Sequence, residues 1–128
     1  MVFWLYCSGM NLLLPVVMIL LGVRFQRHPP RKINALYGYR TARSMRSQET
    51  WRFAHRVCGQ LWVVLGGVLL VISLAAAPVT LGWDSEAVSA ASLALVGVEL
   101  AVLVGSIFPV ERALKKHFDQ FGRRKDGI

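Results

Sequence analysis

Acidic residues are scarce in this sequence. It holds 7 Asp+Glu against 15 Lys+Arg in 128 residues, a formal net charge of +8. Charge of either sign is sparse too, at 17%, where a soluble domain carries about 25%. That argues against a soluble globule. It also argues against an ordinary nucleic-acid binder, whose basic charge is spread over a polar surface. Disorder is excluded by a hydrophobic content of 55%, far too high for a chain that buries nothing. Paired carboxylates, a nucleophile elbow, a Walker loop and a metal-ligand cluster are all missing. No enzyme is therefore expected, and no cofactor or metal is called for.

What the chain does have is long uncharged runs. Val2–Val23 has no charged residue in 22 positions, and Cys58–Ala77 has none in 20. Ala87–Pro109 has one, Glu99, in 23. A 22-residue helix is about 33 Å long, against a hydrocarbon core of about 30 Å. Inside hydrocarbon the backbone must satisfy itself, and three short spans cannot close a barrel. The expectation is an all-α membrane protein in one domain: spans at about 2–23, 58–77 and 87–109, a connecting segment 24–57 and a tail 110–128. The first span has no positive leading region and no small-residue cleavage site, so it reads as a span rather than a cleaved signal.

The basic residues fall in two segments. Nine lie in Arg24–Arg56 and the other six in the tail from Val110. The turn Pro78–Glu86 has none. Basic flanks stay cytoplasmic, so the N-terminus is expected outside and the C-terminus inside. Cys7 and Cys58 should then be separated by most of the bilayer, too far for a disulfide.

Local signals sharpen this outline. Pro15 should kink the first helix. Ser47 is a fair N-cap, with Glu49 in the first turn. A helix from there should run unbroken into the second span, with Trp51, His55, Cys58 and Trp62 on one face. Pro78 should open the turn, with Asp84 or Ser85 capping the third helix. Val110–Phe121 is amphipathic, with Gly122 as a stop, and reads as a helix on the membrane surface or docked on the first connection.

Two groups of residues stand out as candidate sites. Asn11 and Glu99 lie at similar depth near mid-membrane, where a carboxylate costs roughly 2.5–3.5 kcal/mol. They should meet near the close-packing Gly66-Gly67. One reading is a proton or cation relay, or a polar contact for a bound peptide. The other is a protonated Glu99 hydrogen-bonded to Asn11. The second group is the first connection: Asn34, Tyr37-Gly38-Tyr39-Arg40-Thr41, Arg43-Ser44-Met45, Glu49, Trp51, Ala54-His55 and Gly59. Arg40 and Arg43 there could clamp a phosphate or carboxylate, although Arg40 could instead cap helix carbonyls or pair with Glu49. His55 and Cys58 share a face, but packing accounts for them better than metal binding.

This second group resembles the SdpI family of bacterial integral-membrane proteins over roughly Pro30–Gly59. The resemblance implies immunity to, or sensing of, a membrane-active peptide toxin by sequestration in the bacterial cytoplasmic membrane. A peptide toxin and a cytoplasmic regulator would be partners, alongside membrane lipids. Asn34, Tyr37, Gly38, Tyr39, Arg40, Thr41, Arg43, Ser44, Trp51 and His55 would form the partner-binding motif. Two other readings compete: a small oligomeric proton or cation carrier using Glu99, and an anionic-headgroup binder using the Arg40 loop. Self-association fits so few helices, and nucleic acid is not an expected partner.

Overall fold

A computed structural model describes residues 1–34, 38–119 and 121–123. Four helices follow one another: α1 Val2–Arg27, α2 Gln48–Thr80, α3 Ser85–Gly105 and α4 Ile107–His117. Among the described residues no strand interrupts them. The helices α1 and α2, and the stretch Ser85–His117, are long and apolar enough to cross a membrane. Their outward faces carry exposed Leu13, Leu20, Val64, Val71, Leu93 and Val104, the side chains that lipid solvates. The fold is an all-α, multi-pass membrane fold. One end of the bundle carries the basic segments and is called the basic end below. The other carries the α2–α3 turn.

The α1–α2 pair is the backbone of the bundle, and small residues set how close it comes. A Cβ on Gly22 would lie 2.8 Å from the Gly59 carbonyl oxygen, and one on Gly59 would lie 2.6 Å from that of Gly22. Two turns further on, Gly66 sits against Pro15, Met18 and Ile19. Gly67 faces open space. Without a hydrophobic drive between helices in lipid, such close approach is what holds them.

Helix ends follow the capping rules, with three departures from expectation, one being that the tail helix stops at His117, with Phe118 as its C-cap, rather than at Gly122. Ser47 caps α2: its Oγ accepts the Thr50 N–H at 3.1 Å, while Thr50 Oγ1 accepts the Ser47 N–H at 2.9 Å. Asp84 caps α3 by accepting the Ala87 N–H at 2.8 Å. Pro78, however, does not open the turn. It lies inside α2, which runs on to Thr80. The proline ring fits helical φ, and this close to the end it forfeits only one bond. The third span likewise breaks at Ser106 rather than Pro109. Pro109 sits in the first turn of α4, where the N–H groups have no helical partner to lose. Pro15 stays within an unbroken α1.

The α2 helix has 33 residues, about 50 Å of helix. It therefore extends well past a hydrocarbon core of about 30 Å. At the basic end this extension packs Phe25 of α1 and Val110, Leu114 and Phe118 of the α4 segment around Ala54 and Cys58. Both cysteines are free and buried.

Candidate functional site

The first connection folds back on this extension, and His55 is its anchor. The imidazole is fully buried, 4.4 Å from the Trp51 ring and 4.9 Å, edge-on, from that of Phe25. Its Nε2 accepts the Tyr39 N–H at 2.9 Å. Its Nδ1 lies 2.7 Å from the Trp51 carbonyl. One nitrogen must therefore accept and the other donate, which fixes the neutral tautomer with its proton on Nδ1. Gly38 makes this approach possible. Its φ is +114°, and a Cβ there would lie 2.5 Å from Nε2.

Around that contact the motif bonds to itself. The Tyr39 carbonyl accepts from Ser44 Oγ at 2.9 Å, and the same oxygen of Ser44 accepts the Thr41 N–H at 2.9 Å. Thr50 Oγ1 donates to the Ser44 carbonyl at 3.0 Å. Trp51 Nε1 donates to the Pro30 carbonyl at 2.7 Å, and Gln48 donates to the Arg31 carbonyl. Two ties reach α4 and the tail. Tyr39 Oη donates to Glu111 Oε1 at 2.8 Å, beside an ion pair of 3.5 Å between Arg43 and Glu111. Ser47 Oγ donates to the Gly122 carbonyl at 2.8 Å.

The motif residues singled out in the sequence thus divide by position. Gly38, Tyr39, Thr41, Ser44, Trp51 and His55 meet in one clamp. Arg43 joins it through Glu111. Arg40 is exposed on its rim. Asn34 lies further along the loop, its amide donating to the Lys32 carbonyl at 3.0 Å. Tyr37 lies outside the described residues. Pro30, Thr50, Glu111 and Gly122 were not among the candidate site residues. Thr50 was legible as the third residue after the Ser47 cap. The other three act through carbonyls or across long sequence separations, which leave no local signal.

Burial, and then the Glu111 carboxylate to which its hydroxyl donates, push the Tyr39 phenol up from its ordinary value of about 10. The folded state therefore favours the neutral phenol. That contribution is complete below pH ~10 and fades as pH climbs above it toward the folded value. Detergent-solubilised protein is expected to lose stability in that alkaline range. Tyr39→Phe should abolish this loss and cost about 1 kcal/mol at neutral pH. A denaturation midpoint measured against pH for both proteins checks the prediction.

The second candidate site lies between α1, α2 and α3. Asn11, Ser73 and Glu99 are all buried, at 8%, 3% and 1% exposure. Ser73 Oγ is 3.1 Å from the Asn11 carbonyl oxygen and 3.1 Å from Glu99 Oε2. Ser92 Oγ donates to Asn11 Oδ1 at 3.1 Å. Asn11 and Glu99 thus meet through Ser73 and not, as expected, at Gly66-Gly67: Gly66 lies two turns away along α2 against Pro15, Met18 and Ile19. Ser73 is the single hydroxyl residue of the 58–77 run, and matching its depth to that of Asn11 and Glu99 would have found it. Among the described residues no group of three or more His, Cys, Asp or Glu is placed to hold a metal.

Comparison with known proteins places these features. A family model described as the SdpI/YfhL protein family matches residues 31–110. That range includes the clamp, Ser73 and Glu99. A Bacillus subtilis (strain 168) protein, named only as uncharacterized protein YfhL, is 40% identical over 58 residues. The alignment covers 45% of this chain and 53% of that relative, so the chain spans about half the relative's length. No solved structure matches.

Proposed function

The chain belongs to the SdpI/YfhL family of membrane proteins, and from that premise we propose that it confers immunity to, or senses, a membrane-active peptide toxin by binding it. Sequestration is the mechanism, and no turnover chemistry is involved. The observation that carries the reading is how the motif is spent. Its buried groups hold α1, α2 and α4 to one another, which makes the basic end a preformed platform with Arg40 exposed on the rim. A peptide's apolar face would pack on the helices, while Arg40 anchors a carboxylate or reports occupancy to a cytoplasmic regulator. We place the protein in the bacterial cytoplasmic membrane with its basic end inside, because positive flanks are retained there.

The test is expression in a sensitive bacterium challenged with a panel of secreted membrane-active peptides. The wild type should raise the inhibitory dose of at least one. A lost charge-assisted hydrogen bond is worth ~1.5–3 kcal/mol, so Arg40→Ala should lower the protective dose about tenfold or more. Equal protection by the wild type and an empty vector across the panel would sink the proposal.

A second reading rests on a different surface. Arg27, Arg31 and Arg52 line an open groove of about 490 Å³ beside Pro29 and Pro30. Guanidinium groups converging there suit the phosphate of an anionic lipid headgroup.

A further inference from the structure

Hydrogen counting at the intramembrane cluster leads beyond peptide binding. Ser73 has one hydroxyl hydrogen. It stands 3.1 Å from two acceptors, the Asn11 carbonyl oxygen and Glu99 Oε2. The Asn11 carbonyl has a particular need for that hydrogen. Its helical donor would be the N–H four residues on, and that residue is Pro15, which has none. Ser73 therefore satisfies Asn11, and the contact with Glu99 closes only if the carboxyl brings a hydrogen of its own. The chain of bonds is Glu99 O–H to Ser73 Oγ, and Ser73 O–H to the Asn11 carbonyl.

Asn11 and Ser73 also form the floor of a cavity, which Glu99 does not line but reaches through its bond to Ser73. About 100 Å³ lies between Cys7 and Asn11 of α1, Ser73 and Thr80 of α2, and Val88 and Ser92 of α3. It extends from the level of Ser73 two turns up α2 to Thr80, the last residue before the α2–α3 turn. Its lining is mixed: three alanines and Leu95 stand beside Ser8, Asn11, Ser73, Thr80 and Ser92, and those polar groups give waters the partners they need in a space of that size. Cys7 is the titratable side chain that α1 offers to it, and α2 offers only the hydroxyls of Ser73 and Thr80. The 2–23 and 58–77 stretches contain no charged residue, so neither supplies a counter-charge to a bare carboxylate.

We propose that Glu99, Ser73 and the Asn11 carbonyl form a binding site for one exchangeable proton, open through this cavity to the side of the α2–α3 turn. On release, the Glu99 carboxyl passes its proton to Ser73 Oγ as the Ser73 hydroxyl gives its own hydrogen to a cavity water, which becomes hydronium and leaves. The Ser73 hydroxyl is left with the hydrogen that came from Glu99, now donated to the Glu99 carboxylate instead of to the Asn11 carbonyl. Uptake is the reverse. Pro15 has a definite role in this site, because it leaves the Asn11 carbonyl in need of a donor and so gives the serine two alternative partners.

The test uses the full chain in vesicles of phosphatidylethanolamine and phosphatidylglycerol. Trypsin cleavage of the basic tail reports its orientation. Dicyclohexylcarbodiimide adds to protonated carboxyls in apolar surroundings, and peptide mass mapping locates the adduct. The expected result is an adduct at Glu99 that is absent in Glu99→Gln. Its rate should fall about tenfold per pH unit above the site's midpoint when pH is raised on the turn side alone. Raising pH on the basic side should leave the rate unchanged. Capping Cys7 with an impermeant thiol reagent should slow the response to the turn-side pH. No adduct at Glu99, or a rate that ignores turn-side pH, overturns the proposal. So does protection by sodium chloride relative to choline chloride at fixed pH, since that would make the ligand an alkali cation.

Discussion

Gly38→Ala should leave little folded protein. The backbone there sits at φ +114°, a region that costs a residue with a Cβ about 1–3 kcal/mol. The added methyl would lie 2.5 Å from His55 Nε2, so the ring or the loop must move. Either movement strips the Tyr39 N–H of its acceptor, and a buried donor left alone costs about 1–3 kcal/mol more. The sum, about 2–6 kcal/mol, approaches the whole margin of many domains. Gly82→Ala is the internal control. Its φ is +88°, but a Cβ there meets nothing within 4 Å, so only the backbone cost applies. Denaturant titration in mild detergent, followed by tryptophan fluorescence, should separate the two variants clearly. If they lose equal stability, the His55 contact is not what makes Gly38 necessary. Combining Gly38→Ala with His55→Ala should be less damaging than the two single costs added, because the second change removes the ring that collides.

Gly59→Ala is expected to be comparably severe for a different reason. Its methyl would stand 2.6 Å from the Gly22 carbonyl oxygen and 3.0 Å from Gln26 Cγ. A backbone atom cannot rotate away as a side chain can, so α1 and α2 must part. Overpacking of this kind costs about 1–3 kcal/mol and more when the obstacle is rigid. Separation also draws Phe25 off His55 and so loosens the clamp one turn below. Gly22→Ala meets the reciprocal obstacle, the Gly59 carbonyl at 2.8 Å. Once the helices have parted for one methyl, the second adds little, so the double variant should cost less than the sum. Gly67→Ala faces open space and should be neutral or slightly stabilising, given alanine's helix preference. A Gly59→Ala protein as stable as the Gly67→Ala protein would refute the close-packing account.

These two glycines also show what was and was not readable in the sequence. The spans were legible because hydrocarbon imposes one rule on every residue in them, and apolar runs record that rule directly. The Ser47 and Asp84 caps were legible because a cap and its target are three residues apart. The Gly22–Gly59 contact was not. It depends on the rotational register of two helices, and the visible pair Gly66-Gly67 supplied only one of the contacts it suggested. The ends of the second and third helices were misplaced because Pro78 and Pro109 both occupy positions where a helix tolerates proline. In the clamp, the motif residues were visible as a group. Their partners were not, because a carbonyl such as that of Pro30 has no side-chain identity, and Glu111 lies 72 residues from Tyr39. In the intramembrane cluster, Asn11 and Glu99 advertised themselves by polarity at depth, while Ser73 is an ordinary residue in such helices until its neighbours are known.

That separation of 72 residues also sets an order of events during synthesis. Ribosomes add about 5–20 residues per second, so roughly 4–14 s pass between the appearance of Tyr39 and that of Glu111. For that interval the motif has its early contacts, from Pro30 to His55, but neither the carboxylate that takes the Tyr39 hydroxyl nor the Gly122 carbonyl that takes Ser47. The nascent chain must hold its first helices with an unfinished knot at the basic end until α4 and the residues after it emerge and tie it. A product truncated before α4 would carry every residue of the motif and still leave it open to membrane proteases. Emergence of α4 thus closes a motif that its own residues cannot close.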